Sequence, residues 1–479
     1  MPLHRSLSRL LATALTSGLL LTAVALAPTA SATPATDRTA PDFNGDGYPD
    51  LVSSAHAATV GSASRAGAVV ALYGSATGVG SGHRKVISQN TSGVPGVAEK
   101  YDLFGAATAT ADFNGDGYTD LAVGTPGEDV DDDTDGGTVV ILWGSANGLT
   151  QGTTVSDPSR SSHDSYGQAL AAGDFDGDGD IDLAVGSTSS TVTFREGPFT
   201  TSGSSGGSST LATDLHEWNS SVRALAAGDV NGDGTDDLAV DGQNIGHLYQ
   251  SGADGLTPAV RTEGTDGQFR HGLAFGDVTG DGYDDFVYGD MLDLNSSNQG
   301  GGSVNLYRGG PDGVGGAKPQ HIDQSTQGVP GVDEYEDAFG GAVSVGDIDG
   351  DGCADVAVGV SDEIIGTAET TGEVVVLRGG PAGLTTSGIQ VFHQNTSGVP
   401  GTNEDGDRFG WAVSLDDVDN DSHADLFIGS QHENAGNGSL TYLKGRSSGI
   451  TTSGAAAFGP STVGVSTAGA PAFGATLAP

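Results

Sequence analysis

The pattern D-x-[N/D/T]-x-D-x-x-x-D, written DFNGDGYTD at residues 112–120, recurs seven times in one chain of 479 residues. Each copy runs into a short apolar segment such as LAVG. The copies start at Asp42, Asp112, Asp174, Asp229, Asp277, Asp347 and Asp417, at intervals of 70, 62, 55, 48, 70 and 70 residues. A repeat of this length restricts the chain to architectures in which each unit is one supersecondary element that buries its apolar face against its neighbours.

Flanking features recur in phase. Eight residues before the first Asp stands an aromatic followed by Gly: Phe104-Gly105, Tyr166-Gly167, Phe339-Gly340 and Phe409-Gly410, with Phe269-Arg270 a partial match and Ser221-Val222 in the unit of Asp229. A small-residue strand such as GAATATAD leads from this pair into the loop, and a second strand follows it. A third strand ends in Gly, as in GTVVILWGS, and a polar fourth follows, as in HRKVISQN. Four strands per unit and seven units predict an all-β, seven-bladed β-propeller of four-stranded blades. The first unit lacks an aromatic-Gly strand, whereas the terminal PAFGATLAP supplies one, Phe473-Gly474, with no loop after it. The ring is therefore expected to close by pairing its N- and C-terminal strands, which leaves no open edge.

Positions 1, 3, 5 and 9 of the loops present side-chain oxygens and position 7 a backbone carbonyl, the alternation required by a hard cation taking about six to eight oxygen ligands. The candidate ligands are Asp42, Asn44, Asp46, Tyr48 and Asp50 in the first loop, and Asp112, Asn114, Asp116, Tyr118 and Asp120 in the second. The third offers Asp174, Asp176, Asp178, Asp180 and Asp182, and the fourth Asp229, Asn231, Asp233, Thr235 and Asp237. Asp277, Thr279, Asp281, Tyr283 and Asp285 form the fifth, and Asp347, Asp349, Asp351, Cys353 and Asp355 the sixth. The seventh has Asp417, Asp419, Asp421, His423 and Asp425.

Calcium fits better than magnesium, because cages built wholly from protein suit the larger ion. Zinc and copper want His or Cys, which occur here only as Cys353 and His423, both on the carbonyl position. An EF-hand needs a bidentate Glu at position 12 on a helix, but that position holds Ser53 and Val123 in the first two copies. The closing carboxylate is instead at position 9, so each ion is expected in a hairpin between two strands. Up to seven structural calcium ions would take the formal charge from −44 to −30. For one isolated copy an Asx-type turn without metal is the competing reading; seven copies in register favour the metal. Thr279 at position 3, and Asn420 and Ser422 in place of the two glycines, predict weaker occupancy in the fifth and seventh loops.

The aromatic-Gly strand, the loop at residues 112–120 and VGTPG at residues 123–127 resemble the FG-GAP repeat family, found in the integrin α-subunit propeller and in many secreted bacterial proteins. The resemblance spans residues 40–479. It implies a calcium-bound seven-bladed propeller with ions in hairpins on one face and ligands held by loops on the other, and, for integrins, adhesion. Fold resemblance alone does not assign a function.

With 62 acidic and 18 basic side chains, the chain disfavours nucleic acid and anionic membranes as partners. Residues 1–32 read as a secretory signal peptide: His4, Arg5 and Arg9, an apolar stretch over residues 10–27, and small residues Ala30-Ser31-Ala32 at a cleavage site near Ala32. An uncleaved anchor is the alternative. Residues 33–479 are expected to form one exported, monomeric propeller without a transmembrane anchor. Cys353 is the only cysteine, so no internal disulfide staples it.

Three units carry a longer insert before the aromatic, at residues 89–105, 324–340 and 394–410, each containing Gly-Val-Pro-Gly. The inserts suit either a ligand rim or a clasp between blades. The acidic run at residues 128–137 reads as a solvated loop tip and residues 201–210 as a low-complexity loop. A Gly-x-Ser-x-Gly at residues 203–207 has no strand-to-helix context for a hydrolase elbow. The eleven histidines form no metalloprotease motif, and His83, His271 and His393 stand singly. Trp143, Trp218 and Trp411 suit sugar stacking in principle, but Trp143 and Trp411 lie in predicted strands and read as core.

The expected function is a calcium-stabilised binding or cell-adhesion-type module, without catalysis of its own, for an extracellular protein or glycan. The alternatives are an extracellular enzyme, either a polysaccharide lyase or hydrolase or a propeller of the kind that accompanies phospholipase D, and a glycan-binding lectin.

Overall fold

A computed structural model describes residues 40–213, 215, 221–242, 245–253, 255–263, 271–292, 300–316 and 318–478. The expected signal peptide, Trp218 and Phe269-Arg270 lie outside the described residues. Seven four-stranded antiparallel sheets follow one another along the chain. Blade 2 is Thr108–Ala111, Asp120–Thr125, Thr138–Trp143 and Gln151–Val155 from the centre outward. Blades 3 to 7 repeat that order from inner strands Ala169–Gly173, Ala224–Gly228, His271–Gly276, Phe339–Gly346 and Phe409–Asp416. Each inner strand packs beside the next, and the last returns to the first, so the sheets form a ring.

Blade 1 is assembled from both chain ends. Leu477–Ala478 pairs antiparallel with Leu51–Ala55, with Val52 opposite Ala478 and Ser53 opposite Leu477. Ala68–Leu72 and Arg84–Ile87 complete that sheet. The closure expected from the unpaired terminal strand is what the register shows.

The apolar core lies between blades. Phe43, Val52, Val69 and Ile87 of blade 1 pack against Phe104, Leu121, Val123 and Leu142 of blade 2, and similar clusters separate the other pairs. Phe104, Tyr166, Phe339, Phe409 and Phe473 are fully buried in these seams, and Val222 takes the place of the ring in blade 4. The glycine after the aromatic has a structural reason. Gly167 sits at φ +90°, and its carbonyl oxygen fills the space a Cβ on Gly124 of the preceding blade would need; Gly410 and Gly359 meet in the same way. Aromatic-Gly and strand-end Gly are two halves of one backbone-to-backbone contact.

Two sequence expectations need correction. Residues 201–210 are not all loop, because Gly207–Ala212 is the outer strand of blade 3, exposed enough to be written in Gly, Ser and Thr. Trp143 is core, 5% exposed, with Nε1 donating to Thr153 Oγ1. Trp411, by contrast, is half-buried and lines the central channel, where small inner-strand residues leave room for it.

Candidate metal centres

Each acidic loop folds around its own first aspartate. Asp42 Oδ1 accepts the N–H groups of Gly45 (2.6 Å) and Asp46 (3.2 Å), and Oδ2 that of Gly47 (2.8 Å). Asn44 Oδ1 accepts from Asp46 N–H, and Asp46 Oδ1 from Tyr48 N–H. The bond from the position 6 N–H to Oδ2 of the first carboxylate recurs at Asp112, Asp174, Asp229, Asp277, Asp347 and Asp417. Positive φ at positions 4 and 6, +69° and +85° for Gly45 and Gly47, makes this curl possible. An apolar side chain at position 2 plugs the seam beneath, from Phe43 through Phe113, Val230 and Ile348 to Val418.

Position 9 is the buried part of the site. Asp50, Asp120, Asp237, Asp285 and Asp425 are wholly inaccessible, and Asp182 and Asp355 nearly so. Asp50 accepts Phe43 N–H through Oδ2 and Gly74 N–H through Oδ1, both at 2.9 Å, so it staples its loop to the end of the third strand. Asp120, Asp182, Asp237 and Asp355 repeat the pair. Asp285 takes Thr279 N–H instead of position 2, and Asp425 takes the Tyr442 hydroxyl and Gly445 N–H. Burial pushes Asp50, Asp120, Asp237, Asp285 and Asp425 up to about 7, and Asp182 and Asp355 to about 6, with the N–H bonds offsetting part of the rise.

These donors fit a hard cation. The carboxylate oxygens of Asp174, Asp176 and Asp182 lie within 4.8 Å of one another, as do those of Asp347, Asp349 and Asp351, and those of Asp417, Asp419 and Asp421. At position 3, Thr279 Oγ1, Asp349 Oδ1 and Asp419 Oδ1 are buried and have no hydrogen-bond partner. A buried oxygen without a donor is costly unless something positive meets it. An ion there would be held by positions 1, 3, 5 and 9 and the carbonyl of position 7.

The loops are chained around the ring by residues the sequence pattern does not single out. Position 8 of one loop donates its N–H to the position 1 carbonyl of the preceding loop, as in Thr119 to Asp42 (3.1 Å), Asp236 to Asp174 (2.7 Å) and Asp284 to Asp229 (3.2 Å). Thr119 Oγ1, Asp236 Oδ2 and Asp284 Oδ2 accept the N–H of that same first residue. Position 7 side chains cover the neighbour's glycine: Tyr118 lies on Gly45, Tyr283 on Gly232 and Cys353 on Gly280. Blades 6 and 7 also place basic side chains in their own loops. Arg378 pairs with Asp349 (2.9 Å) and Asp355 (2.7 Å), Lys444 with Asp419 (2.5 Å), and Arg446 with Asp421.

The strands run so that the opposite face carries the inserts and the mouth of the central channel. A cavity of about 330 Å³ lies there, lined by Trp411, Arg223, Asp241 and the inner-strand backbone of blades 4 to 7 and 1. Arg408 sits 5.2 Å from the Trp411 ring centroid and pairs with Asp362, and His432 stacks against Trp411 with ring centroids 6.4 Å apart. The inserts clasp neighbouring blades: Gly152 N–H donates to Gly93, Thr386 Oγ1 to the Gln327 carbonyl and Thr452 Oγ1 to that of Ser397. Glu128 is not part of a solvated tip, since Gln89 reaches across from the insert and donates to it at 2.5 Å. His393 Nδ1 accepts the Asn395 N–H, and Ser205 of the Gly-x-Ser-x-Gly run sits in a hairpin, bonded by Arg195.

The FG-GAP repeat profile matches residues 38–72, 104–142, 166–214, 221–249, 339–377 and 409–443. The chain is an FG-GAP β-propeller. The repeat of blade 5 falls outside the matched segments of this FG-GAP protein, although its four strands and its acidic loop are complete. Curated relatives include phosphatidylinositol-glycan-specific phospholipase D of Bos taurus, 33% identical over 153 residues, and of Rattus norvegicus, 33% over 147. The Homo sapiens protein is 31% identical over 158 residues. These alignments take in 30–31% of this chain and only 17–18% of the relatives, so the matched part of the FG-GAP propeller corresponds to under a fifth of their length. Among the described residues no helix is long and apolar enough to cross a membrane.

Proposed function

We propose that this FG-GAP propeller is an exported, calcium-stabilised binding module of the integrin-α type, which holds structural ions in its hairpins and engages an extracellular protein or glycan on the opposite face. The observation that carries the reading is the division of labour between the faces. Oxygen clusters suited to calcium line one face, and a cavity with a braced tryptophan, an arginine and an aspartate opens towards the other. A half-buried aromatic beside hydrogen-bonding charged groups suits a sugar ring or a peptide side chain. Binding to glycan and matrix-protein arrays in millimolar calcium tests it. Retention that is lost in Trp411→Ala but kept in a hairpin variant such as Asp116→Asn supports the reading, and no retention on either array overturns it.

An enzymatic role is the second reading, favoured by the similarity to proteins named as phosphatidylinositol-glycan-specific phospholipases D. Release of a glycan-anchored substrate, or new chain ends in polysaccharide, by the purified chain in calcium would support it over binding alone.

A further inference from the structure

We propose that the insert face carries a second set of divalent-cation sites, one for each Gly-Val-Pro-Gly insert, the best formed being Gln394, Glu404, Asp407 and Glu433 of blade 7. This goes beyond the hairpin ions and does not depend on which ligand the propeller takes. Carboxylate oxygens of Glu404, Asp407 and Glu433 lie within 4.8 Å of one another. Asp407 is 3% exposed and accepts Glu404 N–H through one oxygen. Gln394 is 4% exposed, its amide reaches the cluster to donate to Glu433, and its Oε1 has no hydrogen-bond partner.

Its hydrogen bonds occur three times, although among the described residues the three carboxylates come within 4.8 Å of one another only in blade 7. In blade 6 Gln324 donates to Glu363 at 2.9 Å and Glu334 N–H to Asp337 at 2.9 Å; in blade 2 Gln89 donates to Glu128 and Glu99 N–H to Asp102. Gln89 Oε1 and Gln324 Oε1 are likewise buried and unpartnered. The second glycine of each insert turn, Gly96, Gly331 or Gly401, has positive φ and leaves the space of its missing Cβ to the glutamine amide. That gives the Gly-Val-Pro-Gly turn a purpose: it seats the amide against the acids.

The sequence carries an independent correlate. Eight residues after the closing Asp of the hairpin stands Glu128, Glu363 or Glu433 in the three blades that follow an insert. The four blades without one have Ala58, Ser190, Ile245 and Asp293 there. Among the described residues, the lysine and arginine ion pairs go to other acids, Asp131, Asp349, Asp355, Asp362, Asp419 and Asp421. Three carboxylates, one of them buried, and an amide oxygen without a donor form the oxygen set of a hard cation completed by water. An ion there would pin the insert to the second hairpin of its blade and so fix the rim around the channel mouth.

The test uses the full chain saturated with calcium and dialysed to a defined free concentration. Metal counting by mass spectrometry should show the triple variant Glu128→Gln, Glu363→Gln, Glu433→Gln losing about three equivalents relative to the parent. Anomalous diffraction from terbium-soaked crystals of the unmodified protein should place peaks inside the triads. A folded triple variant with an unchanged count, or peaks confined to the hairpins, overturns the proposal. The crystal readout decides even if the variant does not fold, and peaks at the triads with none in the hairpins would remove the hairpin ions while leaving this inference standing.

Discussion

The hairpins of blades 3 and 7 offer the same four carboxylates at positions 1, 3, 5 and 9, and the rest of each blade treats them in opposite ways. The residue that ends the third strand beside the loop is Glu196 in blade 3 and Lys444 in blade 7. Glu196 adds its charge to a loop with glycines at both turn positions, and it raises the pKa of Asp176, for which burial is the larger cause. Lys444 instead meets Asp419, Arg446 meets Asp421, and Asn420 and Ser422 replace the glycines. One hairpin gains a further carboxylate from its own blade, and the other has much of its charge neutralised by basic side chains of its own. The weaker occupancy expected of the seventh loop therefore has a second cause, beyond the lost glycines. A ring built on one repeat need not hold seven equal sites.

Removing calcium should break the comparison open most widely. An ion held at a hundred times its dissociation constant contributes about 2.7 kcal/mol, so stripping several sites should lower the melting temperature by on the order of 10 °C. Hydrogen exchange in chelator should then deprotect Asp182–Gly186 of blade 3 before Asp425–Ser430 of blade 7. A melt indifferent to chelator would remove the ions from the account of stability, and simultaneous exchange would erase the difference between the two blades.

Exchanging the neighbouring charges should move affinity from one hairpin to the other. Glu196→Lys should weaken calcium binding in blade 3, and Lys444→Met should strengthen it in blade 7, each by about tenfold, because a unit charge near 4 Å is worth a few kcal/mol before solvent screening. Site-resolved titration by calorimetry or NMR reads both. Equal affinities before and after the exchange would mean that the strand-end residue does not tune the site.

A smaller effect separates the metal-free states by pH. The position 9 carboxylates have folded pKa values raised from 3.8 to about 6 or 7, chiefly by burial. The folded chain therefore holds more protons than the unfolded one between about pH 4 and 7, and stability falls as pH rises through that window. In chelator the protein should melt several degrees lower at pH 8 than at pH 5, and saturating calcium should flatten or reverse the slope, since metal binding favours the deprotonated form. A metal-free melt that rises from pH 5 to pH 8 would show that these carboxylates are not held protonated by burial.

Much of this architecture is legible in the sequence because it repeats. Seven in-phase loops give the blade count, and the orphaned Phe473-Gly474 strand gives the closure, since both depend on period alone. The acidic hairpins are legible for the same reason: their oxygen-bearing residues sit at alternate positions of a tight turn. Contacts between units are not. Nothing local marks Thr119 or Asp236 as the link to the preceding loop, or Gln394 as the neighbour of Glu433, 39 residues away. Trp411 was misleading because its strand position predicts burial, while the radius of the channel, set by seven blades of small residues, decides its exposure.

The finest test of the two hairpins lies in the backbone of blade 7. Asn420 and Ser422 hold φ of +53° and +67°, where glycine is at ease and other side chains are strained. Ser422→Gly should therefore stabilise the metal-free protein, by about 0.5–1 kcal/mol, or a degree or two in melting temperature. Asn420→Gly relieves similar strain but removes the Nδ2 donor that reaches the Gly47 carbonyl of blade 1 at 3.0 Å. That bond crosses the junction where the ring closes, so its loss, about 0.5–1.5 kcal/mol, should cancel the gain. If both variants stabilise alike, the asparagine is a poor substitute for glycine; if only Ser422→Gly does, the seventh loop gave up a turn residue to tie the last blade to the first.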